Sequence, residues 1–353
     1  MLGLRNGDCA KYDSSDLLSR ILKFPEQLQH AQTLSKSVEI AFEADRILNI
    51  CVTGMGGSAM SGDIVRTYLS DVLKIPIFVN RYYSLPNFVD EHSLVIVTSY
   101  SGDTEETLEA YDVAGARHAK IICVTSGGLL GEKAKFDRHP IYLIPTGYPP
   151  RSALGYLTVP ILYSLHSMAL TPNPEADILE SVTLLERLAE QYHPNSEDNL
   201  AKEISYKLKD KIPLIYASVS RFEAVAFRWK TQLSENSKVL AFYNSFPELN
   251  HNEIMGWGPL REINRNFQVI CLKDRDDHPK VKQRMSVTKE ILEKKTAPII
   301  EVESQGNSLL ARILSLVFLG DMVSFYLAIL NQVDPTPVKN IDYLKQRLRE
   351  YED

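Results

Sequence analysis

Cys51-Val52-Thr53-Gly54-Met55-Gly56-Gly57-Ser58-Ala59-Met60-Ser61-Gly62-Asp63-Ile64-Val65-Arg66-Thr67 is the stretch on which the fold turns. The residues before it, Arg46-Ile47-Leu48-Asn49-Ile50, are short and apolar enough to enter as a buried strand. The residues after the glycines place Met60, Ile64 and Val65 at helical spacing. Gly54, Gly56 and Gly57 let the backbone turn sharply and approach a ligand closely. A helix N-terminus behind such a turn presents unpaired N–H groups and partial positive charge, which suits a phosphate. The alternative is a tight strand-to-helix turn that needs its glycines only for packing. The stretch lacks the Gly-Lys-Ser/Thr of a P-loop. Ala59 stands where a dinucleotide fingerprint carries its third glycine, and no acid follows at the end of a second strand.

A second stretch favours the phosphate. Ser93-Leu94-Val95-Ile96-Val97-Thr98 reads as another buried strand and runs into Ser99-Tyr100-Ser101-Gly102-Asp103-Thr104-Glu105-Glu106-Thr107. Ser99, Ser101, Thr104 and Thr107 crowd hydroxyls into one strand-to-helix turn. Asp103 or Thr104 is expected to cap the helix, with Glu106 as the capping-box partner of Asp103. Capping alone would occupy some of these hydroxyls; their number beside a glycine favours an anion.

The rest of the chain alternates. Helix is expected from Ser14 or Ser15 through Leu22 and from Glu26 to Ala44, after a loose lead-in over 1–12. Strands are expected at Arg46–Val52, Ile75–Asn80, Ser93–Thr98, Lys120–Thr125 and Ile141–Ile144, with helices over Ser58–Ser70 and Thr104–Arg117. Residues 151–170 form an apolar helix, and Pro172-Asn173-Pro174 breaks it. Beyond that break come helices over Glu175–Tyr192 and Asn199–Leu208 and a second alternation. Its strands are Ile212–Ala217, Val239–Asn244, Phe267–Leu272 and Ala297–Val302, and its helices include Glu223–Asn236 and His278–Lys294. Asn307–Leu330 and Ile341–Tyr351 are closing helices. Alternation of this kind gives an α/β fold in which helices flank both faces of parallel sheets. The expectation is two domains, 1–172 and 173–353, each with one sheet and ligand sites at the strands' carboxyl ends.

Composition narrows the function. A chain of 353 residues can bury ample core, and a net charge of −6 argues against a nucleic-acid partner. Cys9, Cys51, Cys123 and Cys271 are scattered without metal spacing, as expected of reduced residues in a cytoplasmic protein. Met1-Leu2-Gly3-Leu4-Arg5 opens without the apolar core of a signal peptide. Leu309–Leu330 comes closest to a membrane span, but Arg312 and Asp321 interrupt it, so a buried helix is expected.

Gly56-Gly57-Ser58 together with Ser99-Tyr100-Ser101-Gly102-Asp103-Thr104-Glu105-Glu106-Thr107 resembles the sugar isomerase (SIS) domain. Later strings narrow the resemblance, over nearly the whole chain, to the bifunctional phosphoglucose/phosphomannose isomerases. It implies a sugar phosphate held on Ser58, Ser99, Ser101 and Thr104, beside Gly56 and Gly57. Turning an aldose phosphate into a ketose phosphate requires ring opening, a base that moves a proton between C2 and C1, and a donor for the enediolate. That route needs no metal and no redox cofactor.

Four residues then acquire roles that their surroundings alone leave open. Arg151 follows Tyr148-Pro149-Pro150 and by itself could be a surface guanidinium; the resemblance sets it beside the enediolate. Glu235, in Gln232-Leu233-Ser234-Glu235-Asn236-Ser237-Lys238, is by itself an exposed glutamate at a helix end, where the dipole disfavours it. The resemblance makes it the proton-moving base. His251 lies in Pro247-Glu248-Leu249-Asn250-His251-Asn252-Glu253, and histidine as a residue type suits both removing and returning a proton at pH 7. The resemblance gives it ring opening, in the active site of a second subunit, and so implies a homodimer. Glu248 and Asn250 are expected to shape its loop. Lys339, in Asp334-Pro335-Thr336-Pro337-Val338-Lys339, opposes a helix dipole; the resemblance puts it on the ring oxygen. The pattern departs at Gln332, seven residues before Lys339, where dual-specificity members carry threonine. Two other functions compete: a non-enzymatic sugar-phosphate sensor, and an isomerase or deaminase of amino sugars.

Overall fold

The computed structural model describes residues 4–351. Among them, strands β1 (Asn49–Thr53), β2 (Ile77–Asn80), β3 (Ser93–Ser99), β4 (Lys120–Thr125) and β5 (Ile141–Leu143) form one parallel sheet in the order β2-β1-β3-β4-β5. Strands β6 (Ile212–Ser218), β7 (Phe242–Phe246), β8 (Phe267–Lys273) and β9 (Ile300–Glu303) form a second in the order β7-β6-β8-β9. The second sheet repeats the strand order of the first without its last strand. All seven residues of β3 are buried. A strand covered on both faces reads as an unbroken apolar run, which is why its sequence signal was strong.

Helices α1 (Asn6–Tyr12), α2 (Leu17–Leu22) and α3 (Phe24–Ser35) precede the first sheet. Within it, α4 (Gly56–Tyr68) follows β1, α5 (Glu105–Ala116) follows β3, α6 (Gly128–Phe136) follows β4 and α7 (Leu154–Ser167) follows β5. Helices α8 (Glu175–Gln191) and α9 (Leu200–Leu208) lead to the second sheet, where α10 (Glu223–Glu235) follows β6 as α4 follows β1. Then come α11 (Arg261–Asn264), α12 (Pro279–Leu292), α13 (Leu309–Leu330) and α14 (Lys339–Arg349).

The centre of the molecule is α13. It is long and apolar enough to cross a membrane, and it is buried from Leu310 to Leu330. A helix that is apolar all round is what a position packed on every side demands; α8, α9 and α10 surround it. One apolar core runs through both halves, with Phe24, Leu157, Leu185, Trp229 and Phe318 in the same cluster. Each such side chain contributes about 1.5–3 kcal/mol of transfer free energy. Gly320 decides how closely α10 lies against α13. A Cβ there would fall 2.3 Å from Trp229 Nε1, whose N–H donates to the Leu316 carbonyl at 2.8 Å.

Several boundaries differ from expectation. The 1–12 lead-in contains α1, anchored by buried Cys9, while residues 1–3 lie outside the described part. Helix α3 stops at Ser35 rather than Ala44. Val38, Ile40 and Phe42 beyond it alternate with period two and pack on the core as extended chain. Strand β1 begins at Asn49, after a 3-10 turn over Ala44–Arg46. Helix α6 was not anticipated, because Gly127-Gly128 reads as a loop; both glycines have positive φ (144° and 64°), and the helix starts from them. Strand β7 runs two to three residues later than expected.

Candidate active site

The first strand-to-helix turn is built by close backbone contacts. A Cβ on Gly54 would lie 2.6 Å from the Thr98 carbonyl, and one on Gly57 would lie 2.8 Å from the Pro150 carbonyl and 3.1 Å from Arg151 Cα. Gly56 has φ +49° and opens α4. Buried Ser58 joins this turn to the next: its Oγ accepts the Tyr100 N–H at 3.1 Å, and its carbonyl accepts the Thr98 hydroxyl at 3.1 Å. In the second turn the Ser99 hydroxyl donates to Thr104 Oγ1 at 3.0 Å and accepts the Gly102 N–H at 3.1 Å. Ser101 Oγ accepts the Asp103 N–H at 3.2 Å. Ser58, Ser99, Ser101 and Thr104 thus gather at the carboxyl ends of β1 and β3, where α4 and α5 begin. Two helix N-termini and a hydroxyl cluster make an anion cradle. The expected capping box does not form. Thr104 is the N-cap residue, and Asp103 turns away so that its Oδ1 accepts the Leu129 N–H of α6 at 2.9 Å.

Arg151 sits on a 3-10 turn (Pro150–Ser152) between β5 and α7, and it is only 6% exposed. Its Nε donates to Asn236 Oδ1 at 2.6 Å, and Nη2 donates to the Pro335 and Thr336 carbonyls at 2.9 Å each. Nη1 stands 3.5 Å from Glu235 Oε2. Burial lowers the guanidinium pKa, and Glu235 opposes that shift. Arginine stays charged regardless. A buried frame holds its backbone: Arg228 Nη2 donates to the Arg151 carbonyl at 2.9 Å. Asp321 of α13 binds Arg228 through Nε (3.1 Å) and Nη2 (2.6 Å), and Gln232 Nε2 (2.8 Å).

Glu235, the last residue of α10, is half-buried. With Lys238, Val333, Asp334, Val338 and Lys339 it lines a cavity of about 690 Å³. Lys339 is exposed and is the first residue of α14; among the described residues nothing bonds its ammonium. The structure therefore brings Arg151, Glu235 and Lys339 together. The backbone of Arg151 also abuts Gly57, so the first strand-to-helix turn lies against the residue that pairs with Glu235.

His251 is not among them. It is exposed, on a 3-10 turn (Glu248–His251) after β7, and among the described residues it shares no hydrogen bond or ion pair with Arg151, Glu235 or Lys339. Its neighbours do shape the loop: Asn250 Nδ2 donates to Thr288 Oγ1 at 2.8 Å and Asn252 Nδ2 to Glu248 Oε1 at 2.7 Å. Gln332, exposed and left-handed (φ 57°), does not line the cavity.

Sequence reasoning missed Asn236, Lys238, Arg228 and Asp321. The first two stood inside the string around Glu235. Asp321 stood as a lone acid in an apolar run, which signals a buried partner.

Comparison with known proteins agrees with this architecture. The SIS domain family matches residues 45–144, and the bacterial phospho-glucose isomerase C-terminal SIS domain family matches residues 197–348. Among solved structures, a hypothetical protein of Thermus thermophilus superposes with a TM-score of 0.77 at 15% identity, over 99% of this chain and 93% of that one. The C-terminal domain of glucosamine-fructose-6-phosphate aminotransferase from Francisella tularensis gives 0.69 at 17% identity, over 91% and 97%. These share the fold of two SIS domains. In sequence, the chain is 44% identical to a bifunctional phosphoglucose/phosphomannose isomerase of Caldicellulosiruptor bescii, over 96% of this chain and all of that one. It is 38% identical to the enzyme of that name in Aquifex aeolicus, over 89% and 94%. The chain belongs to the bifunctional phosphoglucose/phosphomannose isomerase family.

Proposed function

We propose that this enzyme interconverts glucose 6-phosphate and fructose 6-phosphate, and likewise mannose 6-phosphate and fructose 6-phosphate, through an enediolate formed after ring opening. The observation that carries the reading is the Arg151–Glu235 pair at 3.5 Å, set against the phosphate cradle through Gly57. The phosphate rests on Ser58, Ser99, Ser101, Thr104 and the helix N-termini behind them. Lys339 protonates the ring oxygen while His251 takes the proton of the anomeric hydroxyl, which opens the ring. Glu235 then removes the C2 proton of the aldose and returns it to C1, and Arg151 stabilises the negative charge that develops on the oxygens.

Exposed His251 acts here as a residue lent by a second copy of the chain, so the working unit is a homodimer. The expected setting is the cytoplasm, in glycolysis and gluconeogenesis. E235Q removes the base while keeping its size. Turnover should vanish while binding of a sugar phosphate persists; near-full turnover in E235Q would sink the assignment. Glucose 6-phosphate and mannose 6-phosphate should be assayed side by side, since Gln332 stands where the family resemblance expects threonine.

A further inference from the structure

Two lysines line the cavity, and they are used differently. The ammonium of Lys339 has no bonded partner among the described residues. The ammonium of Lys238 is fully engaged: it donates to the Pro337 carbonyl at 2.7 Å, the Pro335 carbonyl at 3.2 Å and the Glu235 carbonyl. A lysine has three N–H donors, so none is left for a substrate.

The backbone at Lys238 argues the same way. Its φ is +58°, and the Val239 N–H reaches back to the Leu233 carbonyl at 3.3 Å. That bond reaches one residue further back than the six-to-one bond of a standard helix ending, and it leaves Lys238 in the left-handed region, where glycine is the low-cost residue. A lysine there keeps a strained backbone and gains one thing, a side chain folded onto three carbonyls. Two of those carbonyls belong to the Asp334–Pro337 segment that leads into Lys339. The third belongs to Glu235 itself. The Pro335 carbonyl also receives Arg151 Nη2. Helix α14, which Lys339 opens, buries none of its own side chains in the chain. Its place beside Glu235 is therefore set through this segment.

We infer that Lys238 is a positioning residue: it clamps the Pro335–Pro337 segment to the end of α10 and so fixes Lys339 opposite Glu235. It acts on the reaction through those two residues and touches no substrate atom. The inference rests on the isomerase reading, and wild-type turnover on glucose 6-phosphate is measured first. Absence of that turnover would overturn the isomerase reading itself, before any variant is compared.

The decisive variant is K238G, because glycine removes the clamp while relieving the left-handed backbone. Melting temperature should be unchanged or higher. Turnover number should fall about a hundredfold, the effect of moving a reacting group by about an ångström. Affinity for glucitol 6-phosphate, an open-chain sugar phosphate that cannot isomerise, should stay within about threefold of wild type by calorimetry. K238R keeps a charged donor at the same place and should recover part of the turnover. K238N, also tolerant of the left-handed region, repeats the test if K238G does not fold. A turnover number for K238G within about threefold of wild type would overturn the inference. So would a loss confined to glucitol 6-phosphate affinity, which would make Lys238 a substrate contact.

Discussion

Replacing Asp321 by asparagine tests the frame under Arg151. Asp321 is 6% exposed, and its carboxylate accepts three hydrogen bonds, two from Arg228 and one from Gln232. Burial works to raise its pKa, against the pull of Arg228 and Gln232. Asparagine has nearly the same volume but one acceptor oxygen, and its NH₂ would face donors on one side. Arg228 would be left as a buried cation without a counter-charge, which costs about 3–5 kcal/mol. The two halves share one core, so they should unfold together. With an unfolding entropy of about 2.1 cal/mol/K per residue over 353 residues, a loss of about 4 kcal/mol lowers the melting temperature by about 5 °C. Because Arg228 also holds the Arg151 carbonyl, turnover in D321N should fall about tenfold or more at temperatures where the variant is folded. Calorimetric melting and steady-state isomerase assays read the two effects. The double variant R228M/D321L removes both charges and should regain most of the stability without regaining turnover. A D321N melting temperature within about 1 °C of wild type would refute the argument, because a stranded buried charge cannot be that cheap.

Three further outcomes follow from particular contacts. In G102A the added Cβ would stand 1.9 Å from the Gly127 carbonyl at a φ of +81°, so the second phosphate turn must shift and KM for glucose 6-phosphate should rise roughly tenfold or more; an unchanged KM would mean that this turn does not hold the phosphate. If His251 serves the site of a second subunit, mixing inactive E235Q and H251A chains should restore activity, since each mixed dimer has one site with both residues intact; random pairing gives about a quarter of wild-type activity, and no recovery after verified exchange would place His251 elsewhere. Burial pushes the Glu180 carboxyl up, but the N–H groups of Asn307 and Ser308 at the start of α13 donate to it and bring it net below the usual glutamate range. A carboxylate with a lowered folded pKa stabilises above its unfolded value and loses that contribution as pH falls through the folded one. E180Q should therefore be about 1 kcal/mol less stable near neutrality, with the gap closing below about pH 4; a gap that persists in acid would rule out the charge as its source.

The alternation of strands and helices, the two glycine- and hydroxyl-bearing strand-to-helix turns and the string around Glu235 were all legible in the residues alone. Those features are local. A parallel strand buried on both faces carries an apolar run, as β3 does from Leu94 to Val97, and a turn pressed against another backbone must be glycine, as at Gly57 and Gly102. The features that needed the folded chain are non-local. Arg151 and Glu235 lie 3.5 Å apart although one follows the last strand of the first sheet and the other ends the helix after β6, and they meet because Arg228 of α10 holds the Arg151 carbonyl while Asp321 of α13 holds Arg228. Lys238 and Asp321 showed no role in the string, because a lysine's function depends on which carbonyls its long side chain reaches, and a buried acid's on which cation covers it. The length of α3 was misjudged for a related reason: Val38, Ile40 and Phe42 supply apolar contacts that helix and extended chain can both use, and only packing against the core selects between them. Local chemistry fixes which backbone conformations a segment can adopt; burial across the whole chain decides which polar groups must find one another.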